Sequence, residues 1–296
     1  MYRKGIILAG GKGTRLRPAT YSVSKPLLPV YDKPMVYYSL SVLMQAGLRE
    51  IAVITTPEDQ ALFQRVLGDG SQWGVQFEWI VQPSADGIAH AYILAEGFLG
   101  GHPSALVLGD NLFLGHGLQQ RLAPRSLPST GGTIFTCEVS DPERYGVAGY
   151  SGNRVTEIVE KPTNPPSNSA ITGLYFLDGD ASRRAHGLRP SDRGELEIVS
   201  LLETYLADGA LTVERLGAEI EWYDAGTHDA LLEASQAVQR LQKGGELFGS
   251  PDEAAFLRGW SSGETVARAI KKLGKTAYGS MLSTLVDSAA AQSEAA

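Results

Sequence analysis

The chain has 296 residues, 43% of them hydrophobic and 20% charged, with a formal net charge of −7. That length suits one large α/β domain or a domain with an appended subdomain, and an acidic chain excludes a general nucleic-acid surface. No apolar run approaches the roughly 18–20 residues needed to span a bilayer, and one cysteine, Cys137, excludes an internal disulfide and fits a reducing compartment.

The opening Met1-Tyr2-Arg3-Lys4 is basic before an apolar run far too short for a signal-peptide core, so the chain is expected to stay in the cytoplasm. Residues 1–33 hold seven Lys or Arg and one acid, a net of +6, so the remainder carries −13. A basic head on an acidic chain points to a local anionic ligand. Within it, residues 6–9 form an apolar run that predicts a buried strand, ending in Gly10, Gly11 and Gly13, with Lys12, Arg15 and Arg17 around them. Glycines there let backbone N–H groups converge on an anion without a Cβ in the way, and the cations add charge at the same spot. Two well-known glycine loops fail. Leu16 stands where the dinucleotide fingerprint needs its third glycine, and Gly274-Lys275-Thr276 has no glycine five residues upstream for a Walker loop.

Helices are predicted over 35–46 (closed by Gly47), 58–67 (stopped by Gly68-Asp69-Gly70) and 88–98, alternating with strands over 51–55, 77–81 and 105–108. This alternation predicts a Rossmann-like, mostly parallel sheet, whose ligands bind beyond the carboxyl ends of the strands. The glycine loop and Asp110, in Gly109-Asp110-Asn111, both fall at such ends. From Gly132 onward the pattern turns to strands and loops, with strands over 133–139, 155–159, 171–177 and 212–216 and a helix over 195–207. Cys137 lies in the first of these strands and reads as a passive small side chain. The segment 228–243 is amphipathic, and Ser250-Pro251-Asp252-Glu253 is a strong helix start. Helices over 264–273 and 276–286 follow, and the Ala/Ser-rich 287–296 reads as a disordered tail. The five histidines are scattered without metal-ligand spacing.

Leu8-Ala9-Gly10-Gly11-Lys12-Gly13-Thr14-Arg15-Leu16 and Ser24-Lys25-Pro26-Leu27-Leu28-Pro29-Val30 together resemble the signature of the sugar-phosphate nucleotidyltransferases, and within them the glucose-1-phosphate thymidylyltransferases. The resemblance extends over nearly the full chain. It implies Mg²⁺-dependent transfer of a thymidylyl group from dTTP to α-D-glucose 1-phosphate by direct in-line displacement, giving dTDP-glucose and pyrophosphate, and a homotetrameric assembly. It also implies a nucleotidyltransferase core over 1–240 (nucleotide half 1–131, sugar half with the inserted β region 132–240) and a C-terminal helical region over 241–286. UTP in place of dTTP stays open. A catalytically silent nucleotide-sugar sensor is the rival from another class; Arg15, Lys25, Asp110 and Asp224 are all present, which counts against it.

Phosphate oxygens are already nucleophilic, so such an enzyme mainly positions its substrates and neutralises charge. By resemblance, Leu8, Gly10, Gly11, Gly13, Thr14 and Arg15 would cradle the triphosphate and Lys25 would reach the phosphate under attack. Asp110 and Asp224, each an ordinary loop aspartate by itself, would hold Mg²⁺. Gln82 and Gly87 match base-reading positions, although a glutamine amide pairs equally with thymine or uracil. Tyr145, Gly146, Glu160, Lys161, Thr172 and Tyr175 would serve the sugar side, with Lys161 on the sugar 1-phosphate. The chain departs from its family pattern at Ala225 (usually Thr), at His90 (often Gln, read here as a helical core histidine) and at Val199-Ser200 (usually Thr-Asp). The resemblance further implies a second site between subunits at which dTDP-rhamnose inhibits many relatives, drawing on the segment around Gly115 and His116, the turn before Trp222 and the helix beginning at Pro251. The relatives' arginines in the latter two segments align with Ala218 and Leu257, and Arg258 would be rotated about 100° away on an ideal helix, so end-product feedback is expected to be weak.

Overall fold

Ile6 and Ile7 sit back to back at the centre of the sheet, neither with any exposed surface, because a strand sends successive side chains to opposite faces. The structure, a computed structural model, describes residues 3–122, 130–152 and 154–295. The first strand is β1 (Lys4–Leu8); after the glycine loop and three short 3-10 turns comes a hairpin of β2 (Pro29–Val30) and β3 (Lys33–Pro34). Alternation then follows: α1 (Met35–Gln45), β4 (Glu50–Thr55), α2 (Gln60–Leu67), β5 (Gln76–Val81), α3 (His90–Leu94), α4 (Glu96–Leu99), β6 (Ser104–Leu108), β7 (Leu112–Gly115) and α5 (Leu118–Arg121). The second part comprises β8 (Gly132–Glu138), β9 (Gly146–Ser151), β10 (Arg154–Glu160), β11 (Ser169–Leu177), α6 (Ala181–His186), α7 (Ile198–Ala207), β12 (Leu211–Arg215), β13 (Ile220–Tyr223) and α8 (His228–Lys243). The chain closes with α9 (Pro251–Leu257), α10 (Gly263–Leu273) and α11 (Ala277–Ala295).

The main sheet runs β10-β9-β11-β6-β1-β4-β5, with β8 added to β11 and β12 to β8. The run β6-β1-β4-β5 is parallel throughout, as the alternating pattern requires, while β11 enters antiparallel to β6 and brings the inserted β region with it. One face carries Ile7, Val53, Val107, Phe135 and Leu174 against Val36, Leu40 and Leu43 of α1. The other carries Ile6, Ile54, Leu106 and Ile134 against Tyr92, Leu202 and Tyr205. This is the α/β class expected, with the C-terminal helices built around Val266, Tyr278 and Leu282.

Caps fall where side chains offer them: the hydroxyls of Thr227, Ser250 and Ser262 accept from the N–H of Ala230, Glu253 and Thr265. Four local expectations change. The single helix over 88–98 is broken at Ala95, ahead of Gly97, into α3 and α4. The helix expected from 195 begins only at Ile198, because residues 195–197 are drawn out to hydrogen-bond neighbouring loops. Gly-rich β9 and the short β7 form strands that sequence pattern alone did not reveal. Residues 287–295, expected as a disordered tail, continue α11, consistent with the high helix propensity of their alanines. Among the described residues, no helix is long and apolar enough to cross a membrane.

Where α9 meets the hairpin, Lys33 is 3% exposed, pairs with Asp32 at 2.7 Å, and lies over the rings of Tyr38 and Tyr278. Burial pushes the nearby Glu253 carboxyl up to about 7, against the opposing pull of Lys33. A carboxyl whose pKa is higher folded than unfolded stabilises most below its unfolded value, and that stability is lost as pH rises through the folded value. Glu253→Gln should therefore gain melting temperature over the parent at pH 8, with the gain shrinking towards pH 5; differential scanning calorimetry across that range checks it.

Candidate active site

The loops after β1 and β6 leave the same carboxyl edge of the sheet, and Leu8 lies opposite Leu108 in register. Gly109 N–H donates to the Leu8 carbonyl at 2.8 Å, which keeps the two loops together and puts Asp110 beside the glycine loop. The second aspartate arrives from far along the chain. β7 starts two residues after Asp110 and pairs antiparallel with β13, Leu112 opposite Tyr223, so Asp224 emerges next to Asn111 and Asp110. Lys25 closes the arrangement: it is 7% exposed and donates to Asp110 Oδ2 at 2.7 Å and to the Asp224 carbonyl at 2.8 Å. An ammonium so buried is tolerable only with partners of this kind.

Leu8, Gly11, Gly13, Thr14, Arg15, Lys25 and Asp110 line one cavity of about 420 Å³, together with Ile88, Leu108, Glu195 and Gly226. Gly13 has φ 55°, and a Cβ there would lie 3.0 Å from both Lys25 and Thr20, so a glycine is what lets Lys25 approach. A Cβ on Gly11 would meet nothing within 4 Å. Gly10 stands against Gln82, whose Oε1 would be 2.9 Å from an added Cβ.

Gln82 is 5% exposed, and its Nε2 lies 3.4 Å from the Gly87 carbonyl and 3.3 Å from His90 Nδ1. His90, read from sequence as a core histidine, is instead half-buried against Gln82 and 3.4 Å from Asp86. Gly87 has φ 100°, and a Cβ there would come within 2.3 Å of the Leu196 carbonyl. That contact is held by Leu196 N–H to Asp86 O at 2.7 Å and Ala89 N–H to Leu196 O at 3.1 Å.

On the opposite side, burial and then the charge of Asp224 push the Tyr145 hydroxyl up to about 12. Gly146 pairs with Glu160 across β9 and β10, and the Lys161 N–H donates to the Tyr145 carbonyl at 2.9 Å. Lys161 takes a left-handed φ of 44° just past the strand end, and its Nζ sits 3.1 Å from Glu160 Oε1. Tyr175 is buried, with its pKa raised by burial first and then by the charges of Glu160 and Asp110. Thr172 departs from its expected role: it is fully buried and its hydroxyl donates to the Phe135 carbonyl at 3.0 Å. The register between β11 and β8 slips between Ile171 and Tyr175, and the hydroxyl satisfies a carbonyl there.

Three further residues join this cluster that sequence reasoning did not single out. Asn111 donates to Asp110 Oδ1 at 3.0 Å while its own Oδ1 accepts from Trp222 Nε1 at 2.6 Å and Gly173 N–H at 2.9 Å. Trp222 packs edge-on to Tyr145, and Arg144 bridges Asp141 and Asp224, the latter at 3.5 Å. Their only sequence signal was adjacency to Asp110, Tyr145 and Tyr223. Asp110 lines the cavity and Asp224 lies beside it next to Gly226, two hard carboxylates whose donor set fits Mg²⁺ completed by phosphate oxygens. Among the described residues no group of three or more His, Cys, Asp or Glu could hold a metal.

A second cavity, about 380 Å³, is lined by Gly115, His116, Phe248, Glu253, Leu257 and Arg258 among others. Arg258, expected to be rotated away, is part of that lining and donates to the Gln45 carbonyl.

The family model described as Nucleotidyl transferase matches residues 4–240. A glucose-1-phosphate thymidylyltransferase of Xanthomonas campestris pv. campestris is 53% identical over 96% of this chain and 97% of its own length. Those of Neisseria meningitidis serogroup A and Mycobacterium tuberculosis are 50% and 44% identical, each over 96% of this chain and 99% of their own. A Bacillus anthracis glucose-1-phosphate thymidylyltransferase structure aligns with TM-score 0.77 at 37% identity, covering 85% of this chain and 99% of that one. A UDP-glucose pyrophosphorylase complexed with UDP-glucose aligns with TM-score 0.71 at 26% identity over 81% of this chain and 99% of that one. The chain belongs to the nucleotidyl transferase family.

Two glycines of the site should respond differently to a methyl group. Gly11→Ala should fold with an unchanged melting temperature and raise the nucleotide KM by on the order of tenfold, because the methyl enters the cavity. Gly87→Ala should lower the melting temperature as well, because the methyl must displace the Leu196 backbone. Thermal melts run beside initial-rate kinetics check both.

Proposed function

We propose that this protein transfers a thymidylyl group from dTTP to α-D-glucose 1-phosphate, releasing pyrophosphate, with Mg²⁺ as its cofactor. The observation that carries the reading is Lys25, whose ammonium joins Asp110 to the Asp224 backbone beside a glycine loop at the mouth of an anion-sized cavity. The sequence relatives at 44–53% identity support thymidylyl over uridylyl transfer, since the UDP-glucose pyrophosphorylase likeness stands at 26%.

In this reading the backbone of Gly10, Gly11 and Gly13, with Thr14 and Arg15, holds the triphosphate. Lys25 neutralises charge on the oxygens of the phosphate under attack, and Lys161 lines up the phosphate oxygen of the sugar substrate for in-line displacement. Asp110 and Asp224 would hold Mg²⁺, which supplies positive charge for the phosphate oxygens and the leaving pyrophosphate. Asn111 keeps Asp110 aimed, and Arg144 and Tyr145 keep Asp224 aimed. Gln82 and Gly87 face the base, and Glu160, Tyr175 and Gly146 the sugar. Residence in the cytoplasm and a homotetramer belong to the same proposal; light scattering on the purified protein checks the assembly.

Pyrophosphate release across dTTP, UTP, ATP and GTP with glucose 1-phosphate tests the substrate assignment. The highest kcat/KM is expected with dTTP; a preference for UTP would make the protein a uridylyltransferase, and no turnover with any pair would leave a silent binding protein. Asp110→Asn and Asp224→Asn should each lower kcat by on the order of a hundredfold or more with the fold intact by circular dichroism. Lys25→Ala should mainly cut kcat, whereas Lys161→Ala should mainly raise the glucose 1-phosphate KM. Equal effects of both lysines on both parameters would refute that division.

A further inference from the structure

Gln82 follows directly on β5 with its backbone pinned, its N–H donating to the Thr55 carbonyl at 2.8 Å, and its side chain is buried. A primary amide has nearly the same shape either way round, so packing alone does not decide which end carries the oxygen. The neighbours decide it. On one side stand the Gly87 carbonyl, 3.4 Å away, and His90 Nδ1, 3.3 Å away. A carbonyl oxygen there admits only the NH2 end, so Nε2 faces this side, His90 Nδ1 accepts, and the imidazole proton sits on its other nitrogen. On the opposite side Gln82 Oε1 faces Gly10, where an added Cβ would stand 2.9 Å away. That oxygen has no hydrogen-bond partner among the described residues.

His90 is held in place for this contact. It is the first residue of α3, delivered by the loop that Leu196 clamps at Asp86 and Ala89. Asp86 Oδ2 lies 3.4 Å from the same Nδ1, but that oxygen already accepts from the Ser84 hydroxyl at 2.5 Å, which leaves Nδ1 to Gln82. The contact to Gly87 is long for an N–H donor. A base carbonyl arriving at the amide would draw one Nε2 hydrogen away from it, and His90 would then be what keeps the amide from turning over.

We propose that His90 is a positioning residue for base selection: by accepting from Gln82 Nε2 it fixes the amide with Oε1 as the open acceptor beside the glycine loop, so that the site takes a base carrying an N–H at its ring edge, thymine or uracil, over cytosine. This rests on the reading that Gln82 meets the base. Thymine and uracil carry a hydrogen on N3, whereas the N3 of cytosine is bare and would stand oxygen-side against a lone pair. An amide turned the other way would offer cytosine the N–H it needs. A site built to pair with one hydrogen-bonding pattern rejects the analogue that lacks it, provided its own groups cannot turn to suit. His90 supplies that proviso without touching the substrate.

The test compares His90→Leu, His90→Gln and Gln82→Leu with the parent, reading the KM of dTTP and of glucose 1-phosphate, kcat and melting temperature. dCTP is read as an inhibitor of dTTP turnover, which requires no turnover of dCTP itself. His90→Leu is expected to narrow the ratio of the dCTP inhibition constant to the dTTP KM by about tenfold, with the glucose 1-phosphate KM within about twofold of the parent. His90→Gln, whose amide oxygen can accept in place of Nδ1, should recover most of that ratio. An unchanged ratio in His90→Leu, a parallel rise of both nucleotide constants with a lower melting temperature, or no recovery in His90→Gln would each overturn the proposal. Gln82→Leu separates it from the reading beneath it. If that variant keeps the parent's ratio, the base-side assignment of Gln82 fails and the role of His90 with it; if it loses the ratio while His90→Leu keeps it, only the role of His90 fails.

Discussion

A single buried ammonium holds the site together. Lys25 reaches across 85 residues of chain to the Asp110 carboxylate and across 199 residues to the Asp224 backbone. Each of the three sits on a loop that has no other reason to lie near the others. A charge that is 7% exposed cannot be left unpaired without a cost of several kcal/mol, so the fold must deliver both partners. It does so with two pieces of register: β1 beside β6, and the short β7·β13 ladder that starts where Asp110 ends. The same convergence leaves a cavity where glycine backbone, Arg15 and Lys25 meet Asp110 and Glu195 above an apolar floor, which suits a polyphosphate held with a divalent cation.

Asn111 and Arg144 show how the surroundings orient the acids. Asn111 uses its amide N–H on Asp110 and its amide oxygen on Trp222 and Gly173, so one side chain ties an aspartate, an aromatic ring and the bulged part of β11 into one unit. Arg144 is held by Asp141 at one end and leans on Asp224 at the other, and its pKa rises through the Asp141 contact first and the neighbouring charges after it. Carboxylates fixed in this way lose little freedom when a ligand arrives, which is the basis of preorganisation. Ala225, between Asp224 and Gly226, takes a φ of 43°, a conformation that a β-branched residue adopts with more strain than alanine.

The base and sugar sides are joined through backbone as well as through the sheet. Leu196 bonds Asp86 and Ala89, the Glu195 carbonyl accepts from the Ser191 N–H, and Glu197 is extended, which is why α7 starts later than its sequence pattern implies. Gly87 must lack a side chain because the Leu196 carbonyl occupies the space. His90, which a helical pattern assigns to a core, is drawn to Gln82 by the same loop geometry.

The sequence alone determined the α/β class, since apolar runs alternating with helical periods admit few other layer arrangements, and it placed the glycine loop and Asp110 at strand ends, while the grouping of Lys25 with both aspartates was an expectation carried by the family resemblance. It also fixed helix starts that depend on a local cap, as at Ser250. What it did not determine is everything set by pairing between distant segments. The strands β7 and β9 are too short or too glycine-rich to announce themselves and exist because a partner strand completes their hydrogen bonds. The commitment of the Thr172 hydroxyl to Phe135 follows from a slip in register that no local pattern encodes. The contacts of Asn111 and Arg144 are visible only once their partners arrive from other loops. Propensity and capping act over a few residues and can be read along the chain; a buried charge finds its partners only through tertiary structure.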